Sequence, residues 1–120
     1  MPKRILIIED DPDILEILDI IFQDEGFEII SSSNGMSVDE VSLIHPDLVL
    51  LDVRISGFEK TGAEICAELK AYAQTSHLPV LLLSAETGLP YIAAKCGADG
   101  HIAKPFTIDT LILKVKEMTK

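Results

Sequence analysis

The stretch Asp47-Leu48-Val49-Leu50-Leu51-Asp52 decides the fold. Four large aliphatics in a row, with no polar residue alternating between them, fit a strand buried on both faces in the middle of a parallel sheet. The same signature recurs at Ile5-Leu6-Ile7-Ile8 and at Pro79-Val80-Leu81-Leu82-Leu83, with a shorter version at His101-Ile102-Ala103. Each run delivers polar side chains at its exit: Glu9 and Asp10, then Asp52, Ser84 and Lys104. Open α/β sheets hold their ligands at the carboxyl ends of the strands, so these five side chains are expected to converge on one edge.

Helical patterns fill the intervals. Asp11-Pro12 predicts a helix start, Asp as N-cap and Pro at the first helical position, with Ile14, Ile17, Leu18 and Ile21 as the inner stripe and Gly26 at the end. A short second strand is expected at residues 27–30, followed by a turn-rich connection over 31–35. A weak helix over 36–44 carries Val38, Val41 and Leu43 and is closed by His45-Pro46. Beyond Gly62 a helix turns Ile65, Cys66, Leu69 and Tyr72 or Ala73 inward; another spans 90–96 and ends at Gly97. Thr107 caps a last helix carrying Ile108, Leu111, Ile112 and Val115. Five strands alternating with five helices predict a doubly wound α/β fold with helices on both faces of a parallel sheet. The long apolar strands (first, third and fourth) belong inside and the short ones at the edges, giving the order 2-1-3-4-5.

The 120 residues are expected to form one domain, 1–120. A formal charge of -10 repels phosphate, which argues against direct nucleic acid binding and against an anionic membrane surface. No apolar run approaches ~20 residues and no signal-type segment follows Met1-Pro2-Lys3-Arg4, so a soluble cytoplasmic protein is expected. Cys66 and Cys96 lack metal-type spacing and read as reduced, partly buried thiols.

The converging side chains imply a chemistry. Two unit charges ~5 Å apart at an effective dielectric of ~20 repel by ~3 kcal/mol, so Glu9, Asp10 and Asp52 call for a cation. Hard oxygen donors suit Mg²⁺ or Mn²⁺. A carboxylate-held metal beside Ser84 and Lys104 suits phosphoryl oxygens, with Asp52 as the nucleophile. Neither a P-loop nor a GxGxxG is present, so the donor is expected to be another protein or a small high-energy phosphate.

These residues resemble those of the receiver domain of bacterial two-component response regulators, a flavodoxin-like fold, over essentially the whole chain. The matching motifs are Ile7-Ile8-Glu9-Asp10-Asp11, Asp47-Leu48-Val49-Leu50-Leu51-Asp52, Leu83-Ser84-Ala85, and Gly97-Ala98-Asp99 leading to Lys104-Pro105-Phe106. The resemblance implies that Asp52 accepts a phosphoryl group from the phosphohistidine of a sensor histidine kinase or phosphotransfer protein. The chain would promote both transfer onto Asp52 and hydrolysis from it, without being an enzyme on other substrates. Asp10 would bind the metal directly, Glu9 through water, and Arg54 through its backbone carbonyl; Asp11 caps a helix. Ser84 and His101 hold the switch positions, and the surface of the fourth helix, fifth strand and fifth helix would change to control an output domain or protein, or a phosphorylation-dependent dimer. Arg54 and Glu86 hold the positions that tune dephosphorylation, and their opposite charges can pair across the site.

The chain departs from the common receiver in three places, one of them the oppositely charged Arg54 and Glu86 at the tuning positions. The loop Ser56-Gly57-Phe58-Glu59-Lys60-Thr61-Gly62 reads about two residues longer. His101 replaces the usual switch aromatic; it can titrate near neutral pH, and its plainer reading is an edge-strand residue standing in for tyrosine. The alternatives are a receiver-like interaction module that is not phosphorylated, a dehalogenase-type phosphatase, which wants an acid where Arg54 stands, and a flavodoxin-like carrier, whose flavin phosphate the acidic first loop would repel.

Overall fold

A computed structural model of the chain describes residues 2–55 and 60–120. Five strands, β1 (Arg4–Ile8), β2 (Glu28–Ser32), β3 (Leu48–Leu51), β4 (Val80–Ser84) and β5 (Gly100–Ala103), form one sheet in the order β2-β1-β3-β4-β5. All four pairings are parallel. The helices are α1 (Pro12–Asp24), α2 (Val38–Ile44), α3 (Gly62–Ala71), α4 (Leu89–Cys96) and α5 (Ile108–Met118).

The continuous apolar strands are buried on both faces because side chains alternate across a sheet with period two. Leu6, Ile8, Val49, Leu51, Val80 and Leu82 point into a layer with Val41, Ile65, Cys66 and Leu69 from α2 and α3 and Ala93 from α4. Ile5, Ile7, Leu48, Leu50, Leu81 and Leu83 point the other way, onto Leu18 and Phe22 of α1 and Leu111 and Val115 of α5. All twelve of these strand residues are at most 1% exposed. At ~1.5–3 kcal/mol for each buried aliphatic side chain, this double burial holds the strand ends in register.

Local signals set the helix starts. Asp11 caps α1, its side chain accepting from the N–H groups of Asp13 and Ile14, with Pro12 at the first position. Ser37 with Glu40, and Thr61 with Glu64, form reciprocal capping boxes at α2 and α3. Gly97, at φ 80°, closes α4.

Several expectations shift. In α1 Leu18 and Phe22 are fully buried on the sheet and Ile14 and Ile21 pack partly buried against the same layer as expected, while Ile17 is 49% exposed, because the fully buried pair is spaced i, i+4 and Ile17 lies beside that line. Leu43 is likewise out, at 80% exposed, and Val41 carries the contact of α2. Tyr72 follows the end of α3 in an extended conformation and is exposed, as is Ala73; Ile108 opens α5 half-exposed. β2 begins at Glu28 and extends through Ser31 and Ser32, because the ladder to Ile7 and Ile8 is made by backbone groups and tolerates polar side chains on an edge strand.

Gly62 joins α3 to the strand end that carries Asp52. Its N–H donates to the Val53 carbonyl at 2.6 Å. A Cβ there would lie 1.8 Å from the Asp52 carbonyl oxygen, so only glycine fits. Gly62→Ala is therefore expected to lower the unfolding free energy by about 2–4 kcal/mol in urea titration. A change under about 0.5 kcal/mol would show that α3 can be displaced at no cost.

Candidate functional site

The five side chains expected at the strand exits do meet. Glu9 and Asp10 follow β1, Asp52 follows β3, Ser84 ends β4, and Lys104 follows β5. Backbone bonds across the strand ends hold this edge together: Asp52 N–H donates to the Ile8 carbonyl at 2.9 Å and Lys104 N–H to the Ser84 carbonyl at 3.0 Å. Glu9, Asp10 and Asp52 each place a carboxylate oxygen within 4.8 Å of the others. Lys104 Nζ lies 2.5 Å from Glu9 Oε1 and 3.5 Å from Asp52 Oδ2.

Glu9 and Asp52 are buried, which strengthens every charge interaction here. Burial, and next the hydrogen-bonding approach of the Asp52 carboxyl, push Glu9 up to about 8, against the opposing pull of the Lys104 ammonium. For Lys104, burial works to lower the pKa, but the Glu9 hydrogen bond and the Asp52 charge outweigh it and the net shift is upward. The ammonium stays charged, the only cation in contact with this acidic pair among the described residues.

Glu9 Oε2 is buried with no hydrogen-bond donor, while Oε1 is taken by Lys104. An orphaned buried carboxylate oxygen is costly in protein alone, and a hard cation satisfies it. The donor set of three carboxylates, with no thiol or imidazole, fits Mg²⁺ or Mn²⁺.

A cleft of about 360 Å³ opens over this edge, lined by Asp52, Arg54, Ser84, Glu86, Thr87 and Lys104. Ser84 Oγ accepts the Glu86 N–H at 3.1 Å, which leaves the hydroxyl hydrogen to be donated. Arg54 N–H reaches Asp52 Oδ1 at 3.4 Å, and its guanidinium pairs with Glu86, so the two rim residues do bridge the cleft. Thr87, which the sequence reading passed over, lines the same cleft; its only sequence signal is its place three residues after Ser84. His101 stands apart from these groups, exposed on β5 in register with Leu82. With Ile102 packed toward α5, the period of two puts His101 on the α4 side of the sheet. Residues 56–59 of the loop expected to be long lie outside the described residues.

Comparison with known proteins bears on the family and the fold. The sequence model described as the response regulator receiver domain matches residues 5–116. The DNA-binding response regulator MtrA of Mycolicibacterium smegmatis is 34% identical over 97% of this chain and 50% of its own length. The chain thus spans about half the length of the MtrA relatives it matches. Sporulation initiation phosphotransferase F of Bacillus subtilis is 33% identical over 98% of this chain and 94% of its own. Among solved structures, the response regulator TrrA of Thermotoga maritima, in complex with Mg(2+)-BeF, superposes with a TM-score of 0.80 at 32% identity, covering 97% of this chain and 98% of that one.

The crowding of carboxylates has a measurable cost. Asp52→Asn removes one charge from the cluster at the loss of a 3.5 Å contact to Lys104. In urea titration with chelator the variant is expected to be about 1 kcal/mol more stable than the parent, and to gain less than the parent from added Mg²⁺. Lower stability of the variant in chelator would mean that the Lys104 contact outweighs the repulsion.

Proposed function

The chain belongs to the response regulator receiver domain family, whose members are phosphoacceptors in phosphorelay signalling, and we propose that residues 1–120 act as one such domain with Asp52 as the acceptor. The observation that carries this reading is the meeting of Asp52 with Glu9, Asp10, Ser84 and Lys104 at one sheet edge. The donor is the phosphohistidine of a sensor kinase or phosphotransfer protein.

Glu9, Asp10, Asp52 and the Arg54 carbonyl are the residues that would hold Mg²⁺, which supplies charge neutralisation at the phosphoryl oxygens. The Mg(2+)-BeF complex of the Thermotoga relative supports that choice of ion. An Asp52 carboxylate oxygen attacks phosphorus as the bond to the donor's imidazole nitrogen breaks, giving an acyl phosphate. Lys104, already 3.5 Å from Asp52, and the Ser84 hydroxyl donate to the transferred oxygens. The new group adds roughly -1.5 to -2 charges, and Ser84 turns toward it. His101, one strand over, takes up the space released, and the surface of α4, β5 and α5 changes in population between two packings. That surface, in this reading, is what an output domain, a partner protein or a second copy of the chain senses.

Intact mass after incubation with acetyl phosphate tests the reading. A gain of one phosphoryl group is expected in Mg²⁺, absent in chelator and absent in Asp52→Asn. No gain from acetyl phosphate or from any phosphohistidine donor would favour an interaction module that is not phosphorylated.

In this reading the paired Arg54 and Glu86, which both line the cleft beside Asp52, restrict the access of water to the acyl phosphate. The double substitution Arg54→Ala with Glu86→Ala is expected to shorten the acyl-phosphate lifetime several-fold in a timed mass assay. An unchanged lifetime would remove the pair from the dephosphorylation mechanism.

A further inference from the structure

The two cysteines are far apart in sequence and adjacent in the fold. Cys66 is in the middle of α3 and Cys96 is the last residue of α4; both are free and buried. Cys66 Sγ donates to the Cys96 carbonyl oxygen at 3.5 Å, and Cys96 Sγ donates back to Ala93 at 3.6 Å. Both residues belong to the same apolar layer as Ala93. A sulfur this near its partner's backbone is a side-chain rotation from the partner's sulfur. We propose that Cys66 and Cys96 form an intramolecular disulfide when the protein meets hydrogen peroxide, stapling α3 to α4.

Three further observations bear on it. Small residues surround the pair: Ala93 of α4 shares the apolar layer of both cysteines, Ala63 of α3 packs against that layer, and Ala67 of α3 lines the groove beside Cys96. Gly97, in the left-handed conformation right after Cys96, ends the helix there, so the Cys96 backbone lies at a terminus and not within a helical ladder. Access is asymmetric. Cys96 is 8% exposed and lines an open groove of about 280 Å³ with Ala63, Ala67, Tyr91, Ile92 and Lys95, whereas Cys66 is fully buried. Burial, then the hydrogen-bonding approach of Cys96, raises the Cys66 thiol well above the usual range.

That asymmetry orders the chemistry. The Cys96 sulfur, as its thiolate, attacks one peroxide oxygen; the S–O bond forms, the O–O bond breaks, and the departing hydroxide takes up the proton that Cys96 gave up, leaving as water. Cys66 then attacks the sulfenic sulfur of Cys96. The S–S bond forms, the S–O bond breaks, and the departing hydroxyl takes the Cys66 proton to leave as the second water. Two thiols are oxidised by two electrons in all and one peroxide is reduced to two waters. The staple holds α4 to α3, and α4 follows Ser84 by only the residues 85–88. Its formation does not depend on the phosphoacceptor reading.

The test treats the folded chain with hydrogen peroxide, blocks remaining thiols with N-ethylmaleimide, and maps tryptic peptides without reductant. Expected are a monomer lighter by two hydrogens, no maleimide on either cysteine, and a linked pair of peptides 61–70 and 96–114. Either Cys66→Ser or Cys96→Ser abolishes the linked pair. Sulfinic or sulfonic acid at Cys96 with no linked pair, a disulfide between two chains, or two thiols that still take maleimide would each overturn the proposal. A second measurement needs no variant. Amide exchange across α4 is expected to slow about tenfold in the oxidised protein and to recover with dithiothreitol; unchanged exchange would show that the bond clamps nothing.

Discussion

Three carboxylates held within 4.8 Å of one another are the constraint around which this molecule is arranged. Each close pair, when both members are ionised, costs on the order of 3 kcal/mol at an effective dielectric of ~20, and burial raises Glu9 toward its neutral form, so something must force Glu9 and Asp10 against Asp52. The force is burial. β1 and β3 are neighbours in the sheet, and their aliphatic residues fill both faces of it. The Asp52 N–H to Ile8 carbonyl bond then leaves the acidic ends no freedom to separate. Lys104, brought in by β5 from the far side of β4, offsets part of the repulsion; a metal ion would relieve the rest.

The two helical layers serve this edge differently. α1 and α5 cover the face beneath Ile5, Ile7, Leu48 and Leu50 and supply much of the apolar burial. On the other face, Gly62 lets α3 begin against the Asp52 backbone, and the short segment after Ser84 leads directly into α4. A change at Ser84 therefore has a short mechanical route to α4 and a longer one to α1. The rim pair of Arg54 and Glu86 is largely solvent-exposed on the arginine side, so it contributes little to stability.

The strands were legible because a run such as Leu48-Val49-Leu50-Leu51 has no reading other than burial on both faces, and burial in turn ranks the strands from centre to edge. The edge elements were less so. Ser31 and Ser32 continue β2 through backbone pairing that their side chains do not advertise. In α1, periodicity named Ile17 together with Leu18, but a helix of this width has more apolar positions than the sheet can cover, and only the docking angle selects among them. Capping boxes at Ser37 and Thr61 are visible in the sequence once the S/T-x-x-E spacing is sought; they place α2 and α3 more sharply than apolar periodicity does.

The sequence by itself determined the sheet order, the acids, hydroxyl and lysine at its carboxyl edge, and hence the family, since these follow from composition patterns within ten residues. Tertiary structure alone decided what depends on long-range approach. It leaves Glu9 Oε2 without a donor while Lys104 takes Oε1, and sets the Cys66 sulfur against the Cys96 backbone. Contacts between residues thirty or more positions apart depend on how helices settle on the sheet, a sum of many small packing terms that no local pattern encodes.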